Sequence, residues 1–137
     1  MSQEVEELVR RAVDAWNRQE IDEGLLALLD ADAEYVNRPL AVEPGTRRGT
    51  SEVIAVMRTQ WEALTDAHWE VDRIYERDDE VIALGRISRR MPGSDARLED
   101  RNLVSWKFRS GKVVRIEDLG FGRTEVEAAL EALGLQD

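Results

Sequence analysis

Apolar residues recur at intervals of three and four in two stretches of the chain, and this spacing predicts two amphipathic helices. The first stripe consists of Val5, Leu8, Val9, Ala12, Val13 and Trp16, and the second of Val53, Ile54, Val56, Met57, Trp61 and Leu64. A leucine-rich segment between them predicts a short helix capped by Asp22 and packed on a sheet. Thr124 to Glu127 has the pattern of a capping box, which predicts a C-terminal helix that ends at Gly134.

The apolar period changes to two after Asp66, and this change predicts a run of strands. The predicted strands cover residues 33–38, 67–77, 80–91, 97–109 and 112–119, and residues 43–49 read as a loop. Helices followed by an antiparallel meander are typical of an α+β domain with its helices on one face of the sheet. We therefore expect one domain over residues 1–137.

Four polar residues share strand faces with apolar residues, and we predict that they form a catalytic group. Tyr35 and Asn37 are two apart on a short strand and point to the same side of the sheet. Asp118 shares a face with Val114 and Ile116, so we expect it to point into the interior next to Arg86. There Asp118 would activate water or abstract a proton, while Tyr35 and Asn37 donate hydrogen bonds from across the cavity.

Further residues are predicted to line the same pocket and bind a substrate. Asp100 and Asn102 alternate with apolar residues on a strand whose far end is buried, which places them at the pocket mouth. The remaining predicted substrate-binding residues are Ser88, Trp106, Trp61, Leu84 and Ile116. A few polar groups in an apolar interior are typical of a site for an apolar small molecule.

Composition narrows the possible partners and chemistry. The formal net charge of −10 disfavours nucleic acid and anionic membranes, and there is no apolar run long enough for a membrane span. The chain has no cysteine and a single histidine, His68, so we expect no metal site and no cofactor. The polar, acidic N-terminus is unlike a signal peptide, and we predict a cytoplasmic protein.

The chain resembles the SnoaL-like branch of the nuclear-transport-factor-2-like superfamily. The similarity is carried by the ending Phe108-Arg109-Ser110-Gly111-Lys112-Val113-Val114-Arg115-Ile116 and by the following helix with Ala132-Leu133-Gly134-Leu135. The resemblance implies a cone-shaped, curved, mixed and mainly antiparallel sheet around a pocket closed by three N-terminal helices, often in a homodimer. Members include ketosteroid isomerases, polyketide cyclases, epoxide hydrolases and non-catalytic scaffolds, so the fold does not fix the function.

A narrower similarity is to the limonene-epoxide-hydrolase group. Tyr35-Val36-Asn37-Arg38-Pro39-Leu40 resembles a motif of that group whose tyrosine and asparagine hold the nucleophilic water. The resemblance also implies that Arg86 belongs to the site and that Asp118 activates the water. Ser88 stands where the general acid is expected, and a serine hydroxyl cannot protonate an opening epoxide.

Two functional hypotheses remain open from the sequence. The first is an acid/base enzyme acting on an apolar substrate, of the isomerase, polyketide cyclase or epoxide-hydrolase type. The second is a non-catalytic ligand-binding or dimerising scaffold, in which Arg86 and Asp118 form a structural ion pair. For association, we predict a homodimer through the outer sheet face, where Trp69 and Leu103 would lie among charged residues.

Overall fold

The structure, a computed structural model, describes residues 2–41 and 44–136. The helices in this part of the chain are α1 (Ser2–Asn17), α2 (Ile21–Leu26), α3 (Thr50–Glu62) and α4 (Arg123–Leu133). The strands are β1 (Leu29–Asn37), β2 (Gly45–Arg48), β3 (Thr65–Arg77), β4 (Glu80–Arg90), β5 (Arg97–Arg109) and β6 (Lys112–Phe121). None of the described helices is long and apolar enough to cross a membrane.

The six strands form one curved, mixed sheet in the order β2-β1-β6-β5-β4-β3. Strands β3 to β6 are an antiparallel meander, as the alternating pattern predicts. Strand β1 returns to pair with β6 in parallel, with Tyr35 opposite Ile116. This arrangement confirms the predicted α+β class and brings the two strands that carry Tyr35, Asn37 and Asp118 side by side.

The main core lies between the inner face of the sheet and helices α1 to α3. Trp16 of α1 meets Trp69 of β3 edge-to-face with the ring centroids 5.7 Å apart, and Trp69 stacks on Trp106 of β5 at 6.2 Å. Val9, Val53 and Met57 from α1 and α3 are buried in the same cluster. Contacts of this kind between large aromatic side chains fix how the helices sit on the sheet.

Helix α4 packs on the outer face of the sheet, so the helices do not all lie on one face as predicted. Val126 and Leu130 of α4 bury Ile82, Leu84 and Leu103 in a second, smaller cluster. The periodicity of a strand cannot show this arrangement, because both faces of β4 and β5 carry apolar residues.

The dimerisation patch predicted from Trp69 and Leu103 does not exist. Trp69 is 6% exposed and lies in the main core, opposite Ile87 of β4. Leu103 is completely buried beneath α4. Both side chains are packed inside the protein, so neither is available at the surface for a dimer contact.

Three local predictions need correction. Residues 45–48 of the predicted loop form β2, which pairs with β1 and adds an Arg48–Glu34 salt bridge of 2.6 Å; Glu43 lies outside the described residues.

The predicted starts of two helices also differ from the structure. Asp22 lies within α2, which starts after Glu20 without a side-chain cap. Helix α4 starts after Gly122, whose φ of 89° suits glycine, again without a side-chain cap. Its predicted end at Gly134 is confirmed, with a left-handed φ of 71°.

Candidate functional site

A cavity of about 300 Å³ opens between the inner face of the sheet and α3. Its lining is mostly apolar, with a small number of polar groups. The lining residues are Trp16, Tyr35, Asn37, Arg38, Ala41, Val56, Met57, Thr59, Gln60, Ala63, Leu64, Trp69, Ile87, Asn102, Val104, Ile116, Asp118 and Phe121. At about 30 Å³ for each water, this space holds roughly ten water molecules or a small ring compound.

Asp118 points into this cavity, as its position on β6 predicts. It is paired in register with Val104 of β5, and its side chain is 12% exposed. Its carboxylate accepts a hydrogen bond from Arg38 Nη1 at 2.5 Å. The cation beside Asp118 is therefore Arg38, and the prediction that Arg86 takes this place is wrong.

Arg86 lies on the outer face of the sheet, with its side chain 37% exposed. It shares this face with Ile82 and Leu84, as predicted, but α4 packs against that face and the cavity is on the other side. Its guanidinium pairs with Glu70 at 2.6 Å and with Asp72 at 2.8 Å. These carboxylates on the neighbouring strand β3 are its partners at the surface, so Arg86 does not belong to the site.

Ser88 and Leu84 are outside the cavity for the same reason. The Ser88 hydroxyl accepts a hydrogen bond from Arg97 at 3.1 Å on the outer face, and Leu84 lies beneath α4. The residue of β4 that lines the cavity is Ile87. The position expected for a general acid is therefore not part of the cavity wall.

Tyr35 and Asn37 line the cavity from β1 and are both buried. Since β1 is adjacent to β6, they stand beside Asp118 on the same wall, and the prediction that they face it across the cavity is wrong. Gln60 of α3 donates to the Tyr35 hydroxyl at 3.0 Å and to Asn37 Oδ1 at 3.4 Å. One glutamine thus orients both of the predicted polar residues.

The remaining predicted lining residues divide into two groups. Asn102 and Ile116 line the cavity; the Asn102 amide, oriented by its hydrogen bonds, accepts from Trp69 Nε1 at 3.1 Å. Asp100 instead pairs with Arg89 at 2.7 Å, and Trp106 is completely buried behind Trp69. Trp61 lines a separate, shallow and polar depression of about 440 Å³ that also includes Glu20, Asp22 and Arg58. That depression is larger but open, and it contains none of the groups described above.

Sequence reasoning did not find Arg38, Gln60 or Phe121. Gln60 could have been found, because it is the one polar residue between Met57 and Leu64 on the apolar stripe of α3. Arg38 follows the last residue of β1, where Pro39 ends the strand and strand alternation no longer predicts the direction of a side chain. Its guanidinium lies 5.5 Å from the centroid of the Phe121 ring, which supports it at the cavity mouth.

Burial and ion pairing have opposite effects on Asp118. Burial raises the pKa of its carboxyl, and Arg38 lowers this pKa by a smaller amount, so that the pKa lies above its usual value. Burial also raises the pKa of the Tyr35 phenol, assisted by the charge of Asp118, so Tyr35 stays a protonated donor at neutral pH.

The described residues contain no group of three or more histidine, cysteine, aspartate and glutamate side chains that could hold a metal ion. The chemistry that the cavity lining itself offers is hydrogen bonding and proton transfer. A carboxylate with a raised pKa next to a neutral phenol, in an apolar cavity, is an arrangement suited to general acid/base catalysis.

Solved structures of the same fold come from several bacteria. A proposed polyketide cyclase, IdmH from Streptomyces antibioticus, is 19% identical, with a TM-score of 0.75 over 92% of this chain and 97% of that one. A proposed SnoaL-like polyketide cyclase from a Jannaschia species is 15% identical, with a TM-score of 0.75 over 96% and 93% of the two chains. A protein from Catenulispora acidiphila with a ketosteroid-isomerase-like fold, solved with trimethylamine, is 18% identical, with a TM-score of 0.70 over 95% and 94%.

These identities are low, so the solved structures establish a shared fold and leave the reaction open. No curated protein sequence matches the chain. Residues 9–116 match the SnoaL-like domain family, and this range includes most of the sheet and all three N-terminal helices except the first turns of α1. The fold is one that binds small molecules, and the chain belongs to the SnoaL-like domain family.

Proposed function

We propose that this protein is an acid/base enzyme that moves a proton on a small, apolar carbonyl compound. The observation that carries the proposal is Asp118, a largely buried carboxylate with a raised pKa on the wall of an apolar cavity of about 300 Å³. Burial of a carboxylate costs free energy unless pairing and hydrogen bonds offset it, and carboxylates with perturbed pKa values are concentrated at catalytic sites. The reaction class is isomerisation or aldol-type cyclisation.

In the proposed reaction, Asp118 removes a proton from the carbon next to the substrate carbonyl. The C–H bond breaks, the proton goes to the carboxylate, and the electron pair moves through the new C=C bond to the carbonyl oxygen. In an isomerase, Asp118 returns the proton to another carbon of the resulting enolate. In a cyclase, the enolate carbon forms a bond to a second carbonyl carbon of the same molecule, the π electron pair of that carbonyl moves to its oxygen, and Asp118 returns its proton to this alkoxide.

Tyr35 is the proposed donor to the enolate oxygen. The Tyr35 hydroxyl accepts from Gln60 Nε2 at 3.0 Å and donates to Gln60 Oε1 at 3.3 Å, so an enolate oxygen in the cavity would replace Oε1 as the acceptor of the phenol proton. A preorganised donor in a mostly apolar cavity stabilises developing charge without reorganising during the reaction. Arg38 contributes in a different way, because its charge favours the ionised form of Asp118, which is the form that accepts a proton.

An epoxide-hydrolase mechanism has less support. Asp118 is the one carboxylate among the described residues that line the cavity. That mechanism requires a second carboxylic acid to protonate the opening epoxide, and Ser88 and Arg86 are both on the outer face. Proton transfer by a single carboxylate requires no such partner.

A non-catalytic binding protein is the second candidate, and the Arg38–Asp118 pair favours it. An ion pair at 2.5 Å can have a purely structural role, in which Asp118 is the counter-ion of Arg38. The cavity would then bind the same class of apolar ligand without changing it. Turnover, and not binding, distinguishes the two candidates.

The proposal is tested by a binding and turnover screen with small bicyclic ketones that carry an acidic C–H. Trp16 and Trp69 line the cavity, so binding should change the intrinsic fluorescence. For a ligand that binds and reacts, Asp118→Asn should retain the fluorescence change and lower turnover by about 100-fold or more. Glu117→Gln is the matched control, because Glu117 is the neighbouring carboxylate on β6 and does not line the cavity. Full turnover by Asp118→Asn would refute the proposal.

A further inference from the structure

Glu125 contacts the site from outside the cavity. It lies in the first turn of α4, and its Oε1 accepts a hydrogen bond from Arg38 Nε at 2.6 Å. The same oxygen accepts from the backbone N–H of Phe121 at 3.3 Å. Arg38 is therefore held between two carboxylates, through Nη1 to Asp118 and through Nε to Glu125.

Because Arg38 pairs with both carboxylates, it donates to Asp118 through one nitrogen only. An arginine that presents two nitrogens to one carboxylate forms a stronger, bidentate pair. Here Nε is engaged by Glu125, and the contact to Asp118 is a single bond from Nη1. Without Glu125, the guanidinium could turn and present a two-nitrogen edge to Asp118.

The position of Glu125 is fixed by how α4 docks on the sheet. Val126 is completely buried and Leu130 nearly so. At Gly120 the strand passes so close to the helix that an added Cβ would lie 3.1 Å from the Glu125 carbonyl carbon. Packing of this density leaves Glu125 little freedom to move away from Arg38.

We propose that Glu125 is a positioning residue, which holds Arg38 so that it pairs with Asp118 through one nitrogen and leaves the carboxylate able to act as a base. This role rests on the proposed function of Asp118. Glu125 itself does not line the cavity and is not expected to touch the substrate.

The charged and titratable groups around Asp118 come from β1, β4, β5 and α4. Strand β1 and the residue after it supply Tyr35 and Arg38, and α4 supplies Glu125. From β4, Arg89 reaches the Phe121 ring at 5.6 Å and is paired with Asp100. Helix α3 and strand β5 contribute the uncharged Gln60 and Asn102.

Removal of the Glu125 charge should make Asp118 a weaker base for two reasons. The negative charge of Glu125 raises the pKa of Asp118, so its loss lowers that pKa. A second hydrogen bond from the released Arg38 lowers the pKa in the same direction. Both effects move the titration of Asp118 to lower pH.

The test combines an NMR titration with a rate. In protein labelled with ¹³C at the aspartate carboxyls, the Asp118 signal is identified by its absence from Asp118→Asn. Glu125→Gln and Glu125→Ala should move the Asp118 midpoint to lower pH, with the larger change in the alanine variant. Exchange of the acidic C–H of a bound ketone with D₂O should fall by about tenfold in Glu125→Ala. Glu127→Gln, on the exposed side of α4, should change neither measurement.

An unchanged Asp118 midpoint in a folded Glu125→Gln protein would overturn the positioning role, whatever the rate does. The glutamine variant retains a hydrogen-bond acceptor for Arg38, so it remains informative if the alanine variant does not fold. A midpoint that moves in a protein that exchanges no C–H would support the positioning of Arg38 while refuting the proposed reaction. The titration therefore tests the positioning role of Glu125, and the exchange rate separately tests the proposed reaction.

Discussion

At the residue scale, the site depends on a balance between two effects on one carboxyl group. Burial favours the protonated form of Asp118, while the guanidinium of Arg38 favours the ionised form. Because Arg38 is shared with Glu125, its effect on Asp118 is only partial. The outcome is a carboxylate that ionises less readily than an exposed aspartate and is correspondingly a better base.

This balance predicts that Asp118→Asn stabilises the protein at neutral pH. A carboxyl with a raised pKa in the folded state makes folding more favourable below the pKa of the unfolded chain, and this contribution is lost as pH rises through the folded-state pKa. At pH 7 the ionised group therefore costs stability, and its replacement should add about 0.5–1 kcal/mol to the free energy of unfolding. Arg38 keeps Glu125 as a partner in the variant, so no cation is left unpaired.

The free energy of unfolding should be measured with urea at pH 7 and again at pH 4. The stability gain should be smaller at the lower pH, because protonation of the wild-type carboxyl removes the cost of its buried charge. A gain of the same size at both values, or a loss at pH 7, would show that burial does not dominate at Asp118.

At the element scale, the sheet depends on close approaches that only glycine allows. A Cβ at Gly85 of β4 would lie 2.1 Å from the carbonyl oxygen of Glu70 on β3, next to the irregular pairing between Val71 and Arg73. A Cβ at Gly120 of β6 would lie 3.1 Å from the backbone of Glu125. The first contact requires the β3 backbone to move, and the second requires a much smaller adjustment of α4.

Both glycine-to-alanine variants should therefore be destabilised, by different amounts. Overpacking costs typically 1–3 kcal/mol, so we expect about 3 kcal/mol for Gly85→Ala and about 1 kcal/mol for Gly120→Ala. Denaturant unfolding monitored by tryptophan fluorescence measures both. Equal stability of Gly85→Ala and wild type would contradict the described spacing of β3 and β4.

The elements also show which parts of this structure a sequence can predict. The periods of α1, α3 and the meander were sufficient for the fold, and strand alternation placed Asp118 correctly. The β5–β6 pairing is irregular on both sides of residues 115–118, so Ile116 and Asp118 keep their shared face, while Val113 and not Val114 enters the core. The alternation along β4 also correctly placed Arg86 on the same strand face as Ile82 and Leu84. It could not show which face of β4 is the inner one, because Val81 and Ala83 are equally apolar. Arg38 was missed because it lies just beyond the end of its strand.

At the scale of the whole molecule, the part of the outer face around Arg86 is charged and not apolar. Glu70, Asp72 and Glu99 surround the Arg86 guanidinium there. The homodimer implied by the family resemblance stays a proposal, and an interface on this surface would consist of ion pairs and bound water. Interactions between exposed charges weaken as salt screens them.

We therefore expect light scattering at micromolar concentration to give twice the chain mass at low ionic strength. The mass should decrease toward that of one chain at about 1 M salt, where the screening length is about 3 Å. A single-chain mass under both conditions would remove the homodimer, and a dimer unaffected by salt would place its interface elsewhere.

Proton abstraction by Asp118 from a carbonyl compound in the cavity can be followed by ¹H NMR of a ligand ketone in D₂O, as the loss of the signal next to the carbonyl. We expect catalysed exchange with wild type and Glu117→Gln, and exchange at the uncatalysed rate with Asp118→Asn. Catalysed exchange by Asp118→Asn at the wild-type rate would contradict this expectation.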